Sequence, residues 1–258
     1  MRMQLTEPVE VFPHCSLWLV YFNPESDEAA SNWSIDLVAA KLSNRDLLRW
    51  KQFRPAVKKQ QFLDSRLAVR AVLKRELGDD AELVQFDSDS QGRPVLQSEG
   101  VNHGLQISLS HSENVVAVAI SNGEFPIGVD IEIGVQLRAD ALRLISTHPH
   151  ERIWCDQWIG REAEALLALW TVKEAVWKSL HGGIGISISD IWVDFTNGVF
   201  MPRISPLLHK DERFRTQPFV VQCEAIASDA LSLPPHEYAT IGIRGCAVQR
   251  VTPAKSVP

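Results

Sequence analysis

The chain has 258 residues, of which 45% are hydrophobic and 22% charged, with a formal net charge of −6. That length supports one large domain or two halves of ordinary size without covalent staples, and the acidic balance speaks against a general nucleic-acid binder, which would carry a basic excess. No run of about 18 apolar residues marks a membrane span, no basic start leads into an export signal, and Cys15, Cys155, Cys223 and Cys246 are too far apart for a zinc motif, so a cytoplasmic protein with reduced thiols is expected.

Residues 9–22 alternate loosely and are rich in Val, Leu, Trp and Tyr, which predicts a first strand, followed by a polar loop through Ser34. Helical spacing covers 41–50 and 56–77, and Gly78-Asp79-Asp80 stops the second helix. A short strand over 84–87, a turn over 90–94, a strand beginning over 107–109 and a β-branched central strand over 115–120 complete the first half, which Asn122-Gly123 closes. The second half opens with a strand over 128–132 and a helix from near Thr147. A long helix over 161–181 follows, capped by Gly182-Gly183. After it come β structure over 186–195, a stretch holding Pro202 and Pro206, late strands over 219–225 and 238–243, and a loose tail after Arg250. In both halves a long helix leads through a glycine turn into β structure. The expected fold is α+β, two related halves, 1–123 and 124–258, rather than a doubly wound sheet.

Two segments break the ordinary burial pattern. In the strand Gly128-Val129-Asp130-Ile131-Glu132, Val129 and Ile131 take one face while Asp130 and Glu132 share the other. Two carboxylates looking into one space repel each other, and partial burial adds several kcal/mol unless a cation sits between them. In the long helix, the apolar stripe of Leu166, Leu169, Trp170, Trp177 and Leu180 has Lys173 at its centre and Glu174 at its edge. The stripe of Phe62, Leu63, Val69, Leu73 and Leu77 encloses Arg66 and Arg70 in the same way. Either these stems snorkel to water or the helices point cations at a shared anionic ligand.

Asp130, Glu132 and Glu174 thus form a candidate Mg²⁺ set of oxygen donors, to be completed by waters and substrate phosphates. The alternatives are a solvated strand face for Asp130 and Glu132, and an i,i+4 ion pair between Glu174 and Lys178. Ser108-Leu109-Ser110-His111-Ser112 offers hydroxyls and an imidazole at a strand end where a phosphate could be held. Gly92-Arg93-Pro94 places a guanidinium on a constrained turn suited to phosphate.

The motifs GRP, SLSHS, GVDIE and WxxKEAxxK occur in that order, with an arginine-bearing helix before them (62–70) and a glycine turn after them (183–186), and this order resembles the Sfp-type 4'-phosphopantetheinyl transferase family over residues 42–195. The resemblance implies a pseudo-dimer of two α+β halves and an enzyme that moves the phosphopantetheine arm of coenzyme A onto a serine of an apo acyl or peptidyl carrier protein, releasing 3',5'-ADP, with the active site in the cleft between the halves; two such halves in one chain make a monomer sufficient. It implies that Asp130, Glu132 and Glu174 hold Mg²⁺, that Lys178 lies near the diphosphate, and that Glu174 helps deprotonate the serine. Ser110 and His111 would hold nucleotide phosphates, with His111 near the 3'-phosphate, and Arg66 and Arg93 would add cationic contacts; Arg70 and Lys173 would be internal ion-pair partners.

The sequence departs from the family pattern at Gln60 and Gln61, where some members carry a basic residue that Lys58 or Lys59 would replace, and at Arg93, where many carry lysine. Residues 121–125 and the helix after Thr147 are candidate carrier-docking elements in the polyketide, nonribosomal peptide, fatty acid or lysine-pathway classes. A non-catalytic CoA- or nucleotide-binding module and a metal-dependent phosphodiesterase using the same carboxylates are the competing readings.

Overall fold

The computed structural model describes residues 2–23, 42–89, 93–98, 104–122, 126–133, 146–160, 162–180, 186–196, 199–204, 220–225 and 243–251. Four helices and twelve strands occupy these segments. In the first half they are β1 (Arg2–Leu5), β2 (Val9–Phe12), β3 (Cys15–Asn23), α1 (Asn44–Gln52), α2 (Ala56–Leu77), β4 (Val84–Ser88), β5 (Pro94–Ser98), β6 (Gln106–Ser112) and β7 (Val115–Ser121). In the second they are β8 (Ile127–Ile133), α3 (Pro149–Asp156), α4 (Glu162–Ser179), β9 (Ile191–Thr196), β10 (Val199–Ile204), β11 (Val220–Ala225) and β12 (Ile243–Val251).

The mixture of helix and antiparallel sheet is the expected α+β class. One sheet runs β1-β3-β7-β6 with β2 hydrogen-bonded to β3, a second runs β11-β12-β8, and β4-β5 and β9-β10 are separate hairpins. Strand alternation gives the first sheet two apolar faces. Trp18, Val20 and Phe22 of β3 pack with Val69, Val72 and Leu73 of α2, while Leu17, Leu19 and Tyr21 pack with Ile127, Val129 and Ile131 of β8. The layers are therefore α2, first sheet, then β8 with its sheet.

α4 packs on the far side of β8, and Gly128 shows how closely. A Cβ built there would lie 1.9 Å from the Ala175 carbonyl oxygen and 2.7 Å from the Ser179 amide nitrogen. Both obstacles are helix backbone, so only glycine permits this approach.

Several expectations are refined. The single strand over 9–22 is two strands, because Pro13 and His14 turn the chain and His14 adopts a left-handed φ of 64°. The serine motif over 108–112 forms the last five residues of β6, and β6 turns into β7 through Glu113, at φ 50°. Pro202, in a stretch given no structure from sequence, sits in β10 opposite Val193 of β9, and among the described residues β10 pairs on one side only, where a missing N–H is tolerated. The last strand among the described residues is Ile243–Val251; residues 238–242 lie outside them, as do 24–41 with most of the loop expected through Ser34, 90–92 of the expected turn, the glycines at 182–183 and residues 123–125. Among the described residues no helix is long and apolar enough to cross a membrane. Cys15 and Cys155 are buried free thiols, and burial pushes them up to about 12 and about 11.

Candidate active site

The alternation of β8 works as expected. Val129 and Ile131 are wholly buried between the sheets, and Asp130 and Glu132 turn to the side where α4 supplies Glu174 and Lys178. Asp130 is only 4% exposed, so the solvated-face alternative fails. Lys178 Nζ donates to Asp130 Oδ1 at 2.7 Å and to the Val129 carbonyl at 3.0 Å. Its partner is therefore across the layer, and the i,i+4 pairing with Glu174 is not what positions it.

β6 supplies the third side. Its hydroxyls recur every second residue, so Ser108, Ser110 and Ser112 share one face and meet β8 as a ladder. Ser108 Oγ accepts from Val129 N at 3.0 Å, Ser110 Oγ donates to Asp130 Oδ1 at 2.7 Å, and Ser112 Oγ donates to Glu132 Oε2 at 3.0 Å. Ser110, expected at a phosphate, here orients a carboxylate. His111 points the other way, and its Nε2 is buried without a partner. Burial lowers that imidazole to about 4, opposed by its own backbone hydrogen bond and assisted by the charge of Lys58. Of the two lysines expected to replace the absent basic residue, Lys58 is the one that acts on this ring, since Lys59 lies 4.6 Å from the centre of the Trp50 ring.

Burial raises the Glu132 carboxyl, and the neighbouring Asp130 charge raises it further. Burial likewise raises Glu174, with Lys178 opposing and the Asp130 and Glu132 charges adding to the rise. The three carboxylates therefore feel one another. Asp130 Oδ2 is buried and lacks a hydrogen-bond partner. An unpartnered anionic oxygen beside two carboxyls of raised affinity for protons is a donor set suited to a hard divalent cation. The three are not gathered into a closed cage, since among the described residues they do not bring ligand atoms within 4.8 Å of one another. Mg²⁺ does not require one, because it keeps several waters and takes one or two carboxylates with substrate phosphates.

Beyond Lys178 opens a cavity of about 740 Å³. Arg49, Arg66, Arg93 and Lys178 line it, with Ser65, Ser88 and Ser108, and no carboxylate is among its described lining residues. Four cations and several hydroxyls around one space favour a polyanion. Arg66 is fixed rigidly. It is 6% exposed, donates through Nε and Nη2 to both oxygens of Asp46 at 2.9 and 3.0 Å, and reaches Ser88 Oγ at 3.1 Å. Its guanidinium lies 4.3 Å from the centre of the Phe62 ring and 4.5 Å from that of Phe86. Arg93 is held by Asp89 through Nε at 2.5 Å. Arg49 was not foreseen from sequence. Its cue is its place one residue before the buried Trp50, on the helix that also carries Asp46.

The inward-pointing cations divide into three outcomes. Lys173 does not snorkel. It is fully buried and pairs with the equally buried Glu151 of α3 at 2.8 Å, an internal ion pair as the resemblance implied. Arg66 is buried and paired yet still borders the cavity. Arg70, expected inside, is exposed, because at that level α2 buries the face of Ala68, Val69, Val72 and Leu73, and Arg70 lies outside it.

Residues 126–226 match the family described as the 4'-phosphopantetheinyl transferase superfamily. The chain is 31% identical over 159 residues to the 4'-phosphopantetheinyl transferase HetI of a Nostoc species, covering 57% of this chain and 62% of that protein. It is 29% identical to the 4'-phosphopantetheinyl transferase gsp of Aneurinibacillus migulanus, covering 50% and 51%, and 25% identical to the 4'-phosphopantetheinyl transferase pptA of Paxillus involutus, covering 48% and 53%. The matches thus span between about half and three fifths of these relatives' lengths. The β8 carboxylates and the α4 helix that packs on them lie inside the matched region, so the candidate site falls in the part of the chain that is similar to the 4'-phosphopantetheinyl transferase superfamily.

Proposed function

We propose that the protein is an Sfp-type transferase that moves the phosphopantetheine arm of coenzyme A onto a serine hydroxyl of an apo acyl or peptidyl carrier protein and releases 3',5'-ADP. The observation that carries this reading is the cation-lined cavity that meets, at Lys178, the buried Asp130 beside two half-buried carboxylates. A nucleotide carrying three phosphates suits the first part, and the carboxylates of the second would hold a divalent ion that neutralises its diphosphate. In this reading residues 1–123 supply the nucleotide contacts and 124–258 the metal carboxylates. The repeated order of long helix, 3₁₀ turn and hairpin, α2 to β4-β5 and α4 to β9-β10, supports a pseudo-dimer with its site between the halves.

The roles follow from position. Asp130, Glu132 and Glu174 would hold Mg²⁺, which supplies charge neutralisation for the diphosphate and the departing nucleotide. Ser110 and Ser112 orient Asp130 and Glu132 through their hydroxyls. Lys178 offers a cation at the junction of the cavity and the carboxylates, where negative charge grows on the leaving oxygen. Arg49, Arg66 and Arg93 bind the nucleotide phosphates, and His111, kept neutral by burial, donates or accepts a hydrogen bond at the 3'-phosphate. The serine oxygen forms its bond to phosphorus as the phosphorus–oxygen bond to 3',5'-ADP breaks, and the serine proton passes to Glu174. A monomeric, cytoplasmic enzyme belongs to the same proposal, because one chain contains every group named.

Incubation with CoA, Mg²⁺ and a panel of apo carrier proteins, followed by intact mass spectrometry, tests the proposal. A metal-dependent gain of one phosphopantetheine arm is expected, with Arg49→Met weakening the dependence on CoA concentration. Absence of CoA binding would overturn the reading, and CoA binding without transfer to any carrier would favour a non-catalytic module.

A further inference from the structure

A second cluster of metal-ligating groups lies on the far side of α4. The chain enters α3 at His148, and His150 follows two residues later, while Asp194 comes from β9, more than forty residues on. One ligand atom from each of the three lies within 4.8 Å of the other two. His150 Nδ1 stands 2.8 Å from Asp194 Oδ1. Two donors bound at about 2.0–2.1 Å to a single Zn²⁺ lie roughly 3 Å apart, so that pair is already spaced as neighbouring ligands. The His148 ring meets His150 edge-on at 4.9 Å and stacks on Trp192 at 5.3 Å, with an interplanar angle of 11°.

The scaffold beneath is unusually rigid for a surface site. Glu151, wholly buried, accepts from the His148 amide at 3.1 Å through Oε2 and from the Val193 amide at 2.8 Å through Oε1. It also binds Lys173, whose ammonium is pulled down by burial and raised again by that carboxylate. One buried carboxylate therefore fixes the backbone of one histidine and of the residue preceding Asp194. The hydrogen bond that a metal would displace from His148 is a long one, 3.4 Å from the His150 amide to Nδ1.

We propose that His148, His150 and Asp194 form a site for a borderline transition metal of the Zn²⁺ class, which clips the start of α3 to β9. Two imidazoles with one carboxylate select Zn²⁺, Cu²⁺ or Ni²⁺ over Mg²⁺, and three protein ligands leave a position for water. The site is separate from the Asp130, Glu132 and Glu174 group and does not depend on the transferase reading.

Cu²⁺ binding to the full chain, followed by electron paramagnetic resonance, tests this, because imidazole ligation produces nitrogen hyperfine structure that a carboxylate site cannot. The wild type should show it at one equivalent, and Zn²⁺ should raise the unfolding temperature. His150→Ala and Asp194→Asn should each bind at least about tenfold more weakly, and His150→Ala should abolish the two-nitrogen pattern. Since His150 is exposed, the variant should unfold like wild type without metal. If both variants bind Cu²⁺ within twofold of wild type, or the wild type shows no nitrogen hyperfine structure, the site does not exist.

Discussion

Gly128→Ala tests the packing that aligns the two halves of the candidate active site. The added methyl would sit 1.9 Å from the Ala175 oxygen, 2.7 Å from the Ser179 nitrogen and 2.9 Å from the Ala175 carbonyl carbon. Contact becomes ordinary only near 3.4 Å, so α4 must retreat from β8 by roughly an ångström or more, because helix backbone cannot turn aside as a side chain can. Overpacking of this kind costs about 1–3 kcal/mol or somewhat more. The same retreat stretches the 2.7 Å bond from Lys178 to Asp130 and moves Glu174, and displacement by about 1 Å at a reacting centre can cost on the order of 100-fold in rate. Chemical denaturation and carrier modification at saturating CoA measure the two losses separately. Val129→Ala is the control: it empties part of the inter-sheet core, costing roughly 1–3 kcal/mol by lost burial, yet leaves α4 in place and should keep most of kcat. Gly128→Ala with stability within about 0.5 kcal/mol of wild type, the spread of an ordinary surface change, or with unaltered kcat, would refute the reasoning.

Three further outcomes follow from buried charge. Because burial and the Asp130 charge raise the Glu132 carboxyl, the metal-free fold holds a proton that the unfolded chain gives up near the ordinary value of 4.5, so stability should fall as pH rises from there through the raised value; Glu132→Gln should remove much of that fall, and Mg²⁺ should restore wild type but not the variant, as read by denaturant unfolding at pH 5 and 7.5. His111 carries the opposite sign. Its folded value of about 4 against an ordinary 6.5 means stability is complete above 6.5 and lost as pH drops toward 4, by on the order of 3 kcal/mol, and His111→Gln should flatten that limb of the pH–stability curve. Lys173→Met should strand Glu151 as a buried anion and cost about 3–5 kcal/mol, while Lys173→Met with Glu151→Gln should recover a substantial share of it in thermal unfolding.

The sequence by itself determined the local periods. Alternation in 128–132 assigned Asp130 and Glu132 to one face, and the apolar stripes located α2 to the residue and α4 to within two, because those patterns are properties of neighbouring residues along one element. The order of motifs carried the family resemblance. Local pattern could not say who answers a buried charge. Lys173 meets Glu151 and Arg66 meets Asp46 over separations of 22 and 20 residues, and Ser110 turns to Asp130 rather than to open space. Nor could it predict that Arg49 joins the cavity or that Asp194 comes to His148 and His150, since such meetings depend on how the layers stack. The close approach of α4 to β8 at Gly128, where backbone rather than side chain forms the contact, was decided only by tertiary structure.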